Sequence, residues 1–311
     1  MIRYLRHHEI DVSKWDNCIR KSFNGLIYAD SWYLDLVNSR WEALVEGDYE
    51  RVMPLTPGRK LGIDYLFQPA FTQQLGIFST THLNRQVVSD FLKAIPAKYR
   101  FAEINLNTHN KLDENTLDYT PWITHELDLI GDYESIAENY ATNLKRNLKK
   151  AAQSGLTITE NVKPELVIEI FRKNKGKHLS NLKDQHYDLL RRLIYVLIYK
   201  QKAVTVGAYD ETNSLCGGAF FVQNYKKVIF FFSATDETAK ATGAMPLIID
   251  HFIQRNARSH LTLDFEGSND PNLARFYKSF GAVEITYPHL RINRLNPLIK
   301  AGLALVKKIR G

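Results

Sequence analysis

The sequence predicts an α/β fold of the α+β kind, with mixed sheets flanked by helices. Three observations carry that expectation. The second half of the chain reads β-β-β-α-β-α-β, with short apolar strands joined first by tight turns and later by amphipathic helices. The first half intersperses short helices and strands around turn signals. At 311 residues the chain is long for one core and comfortable for two.

In the first half, 13–22 and 31–38 read as short helices, the second with Asp30 or Ser31 as its cap. Strands are expected over 41–46, 51–55 and 63–67, around turns at Gly47-Asp48 and Pro57-Gly58. A helix over 85–95 precedes a strand over 101–106, and 125–129 alternates as another strand.

The longest helical pattern runs over 132–152. Ile136, Tyr140, Leu144, Leu148 and Ala151 share one face. Asp132, Glu134 and Glu138 crowd its start, and Lys145, Arg146, Lys149 and Lys150 its end, a polarity that suits the helix dipole. This helix separates the expected domains: 1–131, a connecting helix over 132–155, a second domain over 156–294, and a tail helix over 295–311. Within the second domain, helices are expected over 164–175 and 184–199. An antiparallel meander over 203–209, 216–222 and 227–234 follows, then a helix over 243–256, a strand over 261–265, a helix over 271–279 and final strands over 282–293.

Composition narrows the function classes. An apolar fraction of 44% and a charged fraction of 24% belong to an ordinary soluble globular protein. Cys18 and Cys216 are far apart and form neither a disulfide framework nor a metal-spaced pair, which fits a reducing cytoplasm. Of ten histidines only His7 and His8 lie close together, so no metal is expected. The N-terminus lacks the apolar core of an export signal. No stretch reaches the roughly 20 apolar residues that span a bilayer. Gly-x-Ser-x-Gly is absent and neither cysteine has a histidine partner by motif, so no covalent nucleophile is evident. The net charge of +7 favours an acidic partner or simply keeps the protein soluble.

The segment 261–281 concentrates candidate chemistry. A strand ends on Asp264 and Glu266, two apart and so expected on one face. A turn follows, Gly267-Ser268-Asn269-Asp270-Pro271, and then a helix ending Phe276-Tyr277-Lys278-Ser279-Phe280-Gly281. Such a strand tip is where α/β domains place ligands. The acids alternatively cap the helix or pair with Lys278 or Arg275, and Ser268 and Asn269 serve equally as turn residues. Ahead of the helix over 243–256 stands Lys240-Ala241-Thr242-Gly243-Ala244-Met245, whose small residues let backbone N–H groups approach a phosphate.

With these residues, the second half resembles the acyltransferase fold of the GNAT superfamily. Lys240 to Met245 resembles its Arg/Gln-x-x-Gly-x-Gly/Ala loop, which implies donor binding by Lys240, Thr242, Gly243 and Ala244. Phe276-Tyr277 with Gly281 resembles its aromatic-Tyr-x-x-x-Gly, which implies that the Tyr277 hydroxyl protonates the leaving sulfur of coenzyme A.

The pattern Leu263-Asp264-Phe265-Glu266-Gly267-Ser268, then Arg275-Phe276 and Phe280-Gly281, is similar to the end of the FemABX family, as is the basic helix over 143–151. That family is built from two GNAT-like domains in tandem. Its best-known members move an amino acid from aminoacyl-tRNA onto the peptide of a cell-wall precursor. Two departures favour a thioester donor: Tyr277 stands where that family has lysine, displaced here to Lys278, and Leu36 stands where a lysine often follows a tryptophan (here Trp32).

The resemblance implies an N-acyltransferase moving an acyl or aminoacyl group directly to an amine of a small molecule or peptide. The donor is acyl-CoA or, as the alternative, aminoacyl-tRNA. Asp264 or Glu266 would take the amine's proton, and two like charges together would raise one pKa. Ser268, Asn269, Lys278 and Arg146 are candidate substrate contacts. The sixteen uncharged residues 66–81 are a buried loop or an acceptor pocket with Gln73 and Gln74 as contacts. The tail from Arg291 carries six basic residues and no acid, and its amphipathic pattern suits a terminal packing helix or contact with a membrane surface. A further reading is a protein of this fold that binds a ligand or a membrane surface without turnover.

Overall fold

The computed structural model describes residues 1–112, 118–180 and 182–296. The described residues form two compact units, one from Met1–Trp122 and 287–296, the other from Ile123–Thr286.

The first unit holds β1 (Ile2–Leu5), α1 (Val12–Lys21), α2 (Ser31–Val37), β2 (Glu42–Glu46), β3 (Arg51–Leu55), β4 (Pro57–Lys60), β5 (Ile63–Phe67), β6 (Phe78–Ser79), α3 (Arg85–Lys93) and β7 (Phe101–Asn105). β1, β2, β3 and β6 make one antiparallel sheet. β4, β5 and β7 make another, with β5 and β7 parallel and β7 paired to residues 289–293. Its core gathers Leu44, Met53, Phe91, Ile104 and Leu290. The turn expected at Pro57-Gly58 falls instead at Leu61-Gly62. Both have positive φ, 51° and 76°, as a two-residue hairpin between Lys60 and Ile63 requires.

The chain crosses between units inside β8 (Tyr119–Asp128) and inside β14 (Val283–Asn293). The second unit adds α4 (Tyr133–Glu138), α5 (Thr142–Ala152), β9 (Thr157–Glu160), α6 (Pro164–Lys173), α7 (Asp184–Tyr199), β10 (Ala203–Tyr209), β11 (Leu215–Asn224), β12 (Lys227–Thr235), α8 (Glu237–Thr242), α9 (Ala244–Asn256), β13 (Thr262–Asp264) and α10 (Pro271–Lys278). Its strands run β8-β13-β12-β11-β10-β9. The expected meander β10-β11-β12 is antiparallel, and β12 pairs with β13 in parallel. α9 lays Ile248, Ile249, Phe252 and Ile253 into the core with Leu127, Phe221, Leu263 and Phe280.

The single helix expected over 132–152 is two. Ala141 is extended (ψ 149°) and caps α5. Its N–H donates to Ser279 O at 2.8 Å, a partner outside the helix that replaces the intrahelical bond. Residues 240–242, expected in a loop, belong to α8, which Asp236 caps through the Ala239 N–H.

Candidate active site

β12 and β13 part company in the middle of the sheet. Their pairing ends at Ile229 with Asp264, while β12 runs on to Thr235. The cause is local: Glu266 and Gly267 both have positive φ, 53° and 58°, and turn the chain out of the strand. Period-two alternation therefore stops at Asp264, and the expected same-face pair of Asp264 and Glu266 does not form.

The parting opens a cleft of about 700 Å³ within the second unit. Phe230, Ser233, Ala234 and Thr235 of β12 line one side. Gly243, Met245 and Pro246 at the start of α9, and Leu273, Phe276 and Tyr277 of α10, line another. The rim is cationic: Lys150 on α5, Lys240 on α8, and Lys175 and Lys177, beside His178, on the single 3-10 turn after α6.

Tyr277 is 5% exposed, its ring stacked on Phe265 at 4.8 Å and edge-on to Phe230. No group among the described residues hydrogen-bonds its hydroxyl. Burial, and after it the charges of Glu266 and Asp270, push the phenol above its ordinary pKa, so it keeps its proton at neutral pH.

Asp264 is 2% exposed and committed to structure. It accepts from the Thr124 hydroxyl and pairs with Lys227 Nζ at 3.1 Å, and Lys227 also meets Glu126 at 2.6 Å. Burial alone would lower the Lys227 pKa, but Asp264 and Glu126 outweigh it and hold the ammonium well above its usual range.

The other sequence candidates divide. Lys240 and Gly243 reach the cleft, although Lys240 is bonded to Glu237 at 2.7 Å. Thr242 donates to Thr238 O within α8, and Ala244 is fully buried. Ser268 is buried and donates to Glu266 O, Asn269 accepts from the Ile123 N–H, and Lys278 lies 3.9 Å from Glu284. Arg146 is exposed and does not line the cleft; its neighbours Asn147 and Lys150 do. Gln73 and Gln74 belong to the first unit. There Gln74 Nε2 donates to Gln73 Oε1, Gln74 Oε1 accepts from the Thr108 N–H, and Asn24, Asn107 and Asn110 pin the same loop at Ile77 O. The tail pattern lies outside the described residues from 297 on.

Sequence reasoning passed over the lysines of the 3-10 turn. The only signal was a Lys-Gly-Lys-His run closing a helix. Both cysteines are buried, with thiols pushed up to about 11 by burial, and so are poor nucleophiles. Among the described residues no group of His, Cys, Asp or Glu could hold a metal ion, and no helix is long and apolar enough to cross a membrane.

No family model matches the chain, and no curated protein matches it by sequence. Solved structures do match. The chain is similar to FemX at 10% identity with a TM-score of 0.60, over 93% of this chain and 97% of that one. It is similar to a conserved protein of unknown function from Bacteroides thetaiotaomicron at 11% identity and a TM-score of 0.59, over 94% and 99%. It is similar to L-PGS from Bacillus licheniformis at 10% identity and a TM-score of 0.51, over 96% of each. At these identities the likeness is one of fold: the chain has the mixed α/β fold of FemX and of L-PGS.

Proposed function

We propose that the protein is an N-acyltransferase that takes an acyl group from a coenzyme A-type thioester and passes it directly to an amine of a small molecule or peptide. The observation that supports this most is the protonated phenol of Tyr277 lining a cleft between parted strands beneath a cationic rim. Beyond Ile229 the edge of β12 has no strand partner on the β13 side among the described residues, and an extended donor arm carrying amides can pair with it. The rim suits the donor's phosphates.

In the reaction the amine nitrogen attacks the thioester carbon and the C–S bond breaks. The departing sulfur receives the proton of the Tyr277 hydroxyl, and the proton lost by the amine passes to solvent, since Glu266 does not line the cleft. Asp264 keeps the tip in place through Lys227. An aminoacyl donor would bring an ammonium into the cleft. Among the described lining residues the one carboxylate is Glu237, already bonded to Lys240, and this favours an uncharged acyl group.

Calorimetry with CoA, followed by thiol release from acetyl-CoA with a panel of primary amines, tests the reading. Micromolar binding and amine-dependent release are expected. No heat with CoA together with binding of an aminoacyl-tRNA acceptor-stem mimic would move the donor to tRNA, and no binding of either would leave a protein of this fold without transferase activity.

A further inference from the structure

The start of α9 offers an anion less than its glycine suggests. A helix N-terminus ordinarily presents four unpaired amides. Here Pro246 has no N–H, and the Gly243 N–H is already bonded to Ala239 O at 3.0 Å. Gly243, in the left-handed region at φ 81°, joins α8 directly to α9, so no loop stands ahead of the helix to wrap a phosphate. α5 lies over the same point: a Cβ on Gly243 would meet Asn147 O at 3.3 Å and Ala151 Cβ at 3.6 Å.

What faces the cleft instead is side-chain charge. Lys150, Lys175 and Lys177 are exposed and line it, and among the described residues none lies within ion-pair distance of a carboxylate. Lys175 and Lys177 are held by an anchored turn. Between them Gly176 is buried, and a Cβ there would meet Tyr187 Oη at 2.6 Å and Phe171 O at 2.9 Å. The turn thus packs on α7 and the end of α6 with its two lysines aimed at the same cleft as Tyr277.

Resting on the donor reading above, we infer that the donor's phosphates are recognised by Lys150, Lys175 and Lys177, and not by backbone amides at the start of α9. The ligand class is a nucleoside diphosphate bearing an extended thioester arm. Phosphate recognition therefore sits on side chains of α5 and the 3-10 turn, not on the backbone of the glycine motif.

The test is calorimetry on the full chain with CoA and with pantetheine, which lacks the phosphates, for the wild type and for the combined variant Lys150→Gln, Lys175→Gln, Lys177→Gln. All three side chains are exposed, so the variant should melt with the wild type. Each lysine should account for about tenfold in CoA affinity, leaving pantetheine unchanged and flattening the salt dependence. CoA affinity within about twofold of wild type in the variant would overturn the inference while leaving the donor reading intact. Failure of the wild type to bind either probe would overturn both. An RNA hairpin mimicking a tRNA acceptor stem that outcompetes CoA, and loses this advantage in the variant, would overturn the nucleotide class.

Discussion

Tyr277 owes its proposed role to where its ring is packed. Phe265 and Phe230 exclude water from it, and the carboxylates of Glu266 and Asp270 add negative potential, so the group stays a phenol across the physiological range. Tyr277→Phe keeps the ring and deletes the donor. Thiol release should fall about a hundredfold with CoA affinity unchanged; equal turnover would remove Tyr277 from the chemistry. Asp264 belongs to the scaffold. Asp264→Ala strands Lys227 with Glu126 alone, and the expected loss of about 3 kcal/mol is measurable by urea unfolding.

His125 makes stability depend on pH. It is fully buried and neither ring nitrogen has a hydrogen-bond partner among the described residues. Desolvation holds its pKa below 6.5, with Lys278 adding to the fall and Glu284 opposing it. The unfolded chain therefore binds the proton more readily than the folded one. The residue's contribution is complete above pH 6.5 and is lost as pH falls from there toward the folded pKa. His125→Leu should flatten the urea midpoint between pH 6.5 and 5 relative to wild type; an unchanged slope would place the titration elsewhere.

At the scale of elements, local pattern and tertiary contact contribute in different places. α7 and β10 were legible to their last residue, α7 by its apolar helical period and β10 as a short run of small and β-branched residues. β1, β4, β9 and α8 were not. β9 is a sheet-edge strand alternating exposed and half-buried residues, β4 is Pro-Gly-Arg-Lys, and α8 is one short polar turn and a half. The break between α4 and α5 is equally invisible in sequence, since 136, 140, 144 and 148 keep helical phase across it. It exists because the C-terminus of α10 packs there: Ser279 O accepts from Ala141, and Gly281 lies against Asn139. Gly281→Ala would put a Cβ 3.0 Å from the Asn139 Cβ at φ 81°, and about 1–2 kcal/mol of stability should be lost. A melting temperature equal to wild type would show that the junction gives way.

At the scale of the molecule, the second unit is one uninterrupted stretch of chain, while the first is closed by a strand from the far end. Leu290 of β14 is fully buried in the first unit's core, and 289–293 hydrogen-bond to β7. A chain ending at residue 282 should therefore lose cooperative unfolding and near-UV dichroism from the first unit, where Trp15 and Trp41 are fully buried. Retention of that signal would mean that β7 tolerates an open edge.

What the sequence by itself determined is the alternation of elements, the two-core scale and the antiparallel meander, because periodicity and turn chemistry are written within ten or so residues of one another. Only the tertiary structure decided the parting of β12 from β13, the commitment of Asp264 to Lys227, the covering of Gly243 by α5, and the gathering of Lys150 with Lys175 and Lys177 at one rim. Each of these depends on which distant segment arrives beside a residue and takes its hydrogen bond, its charge or its space, and no local pattern carries that information.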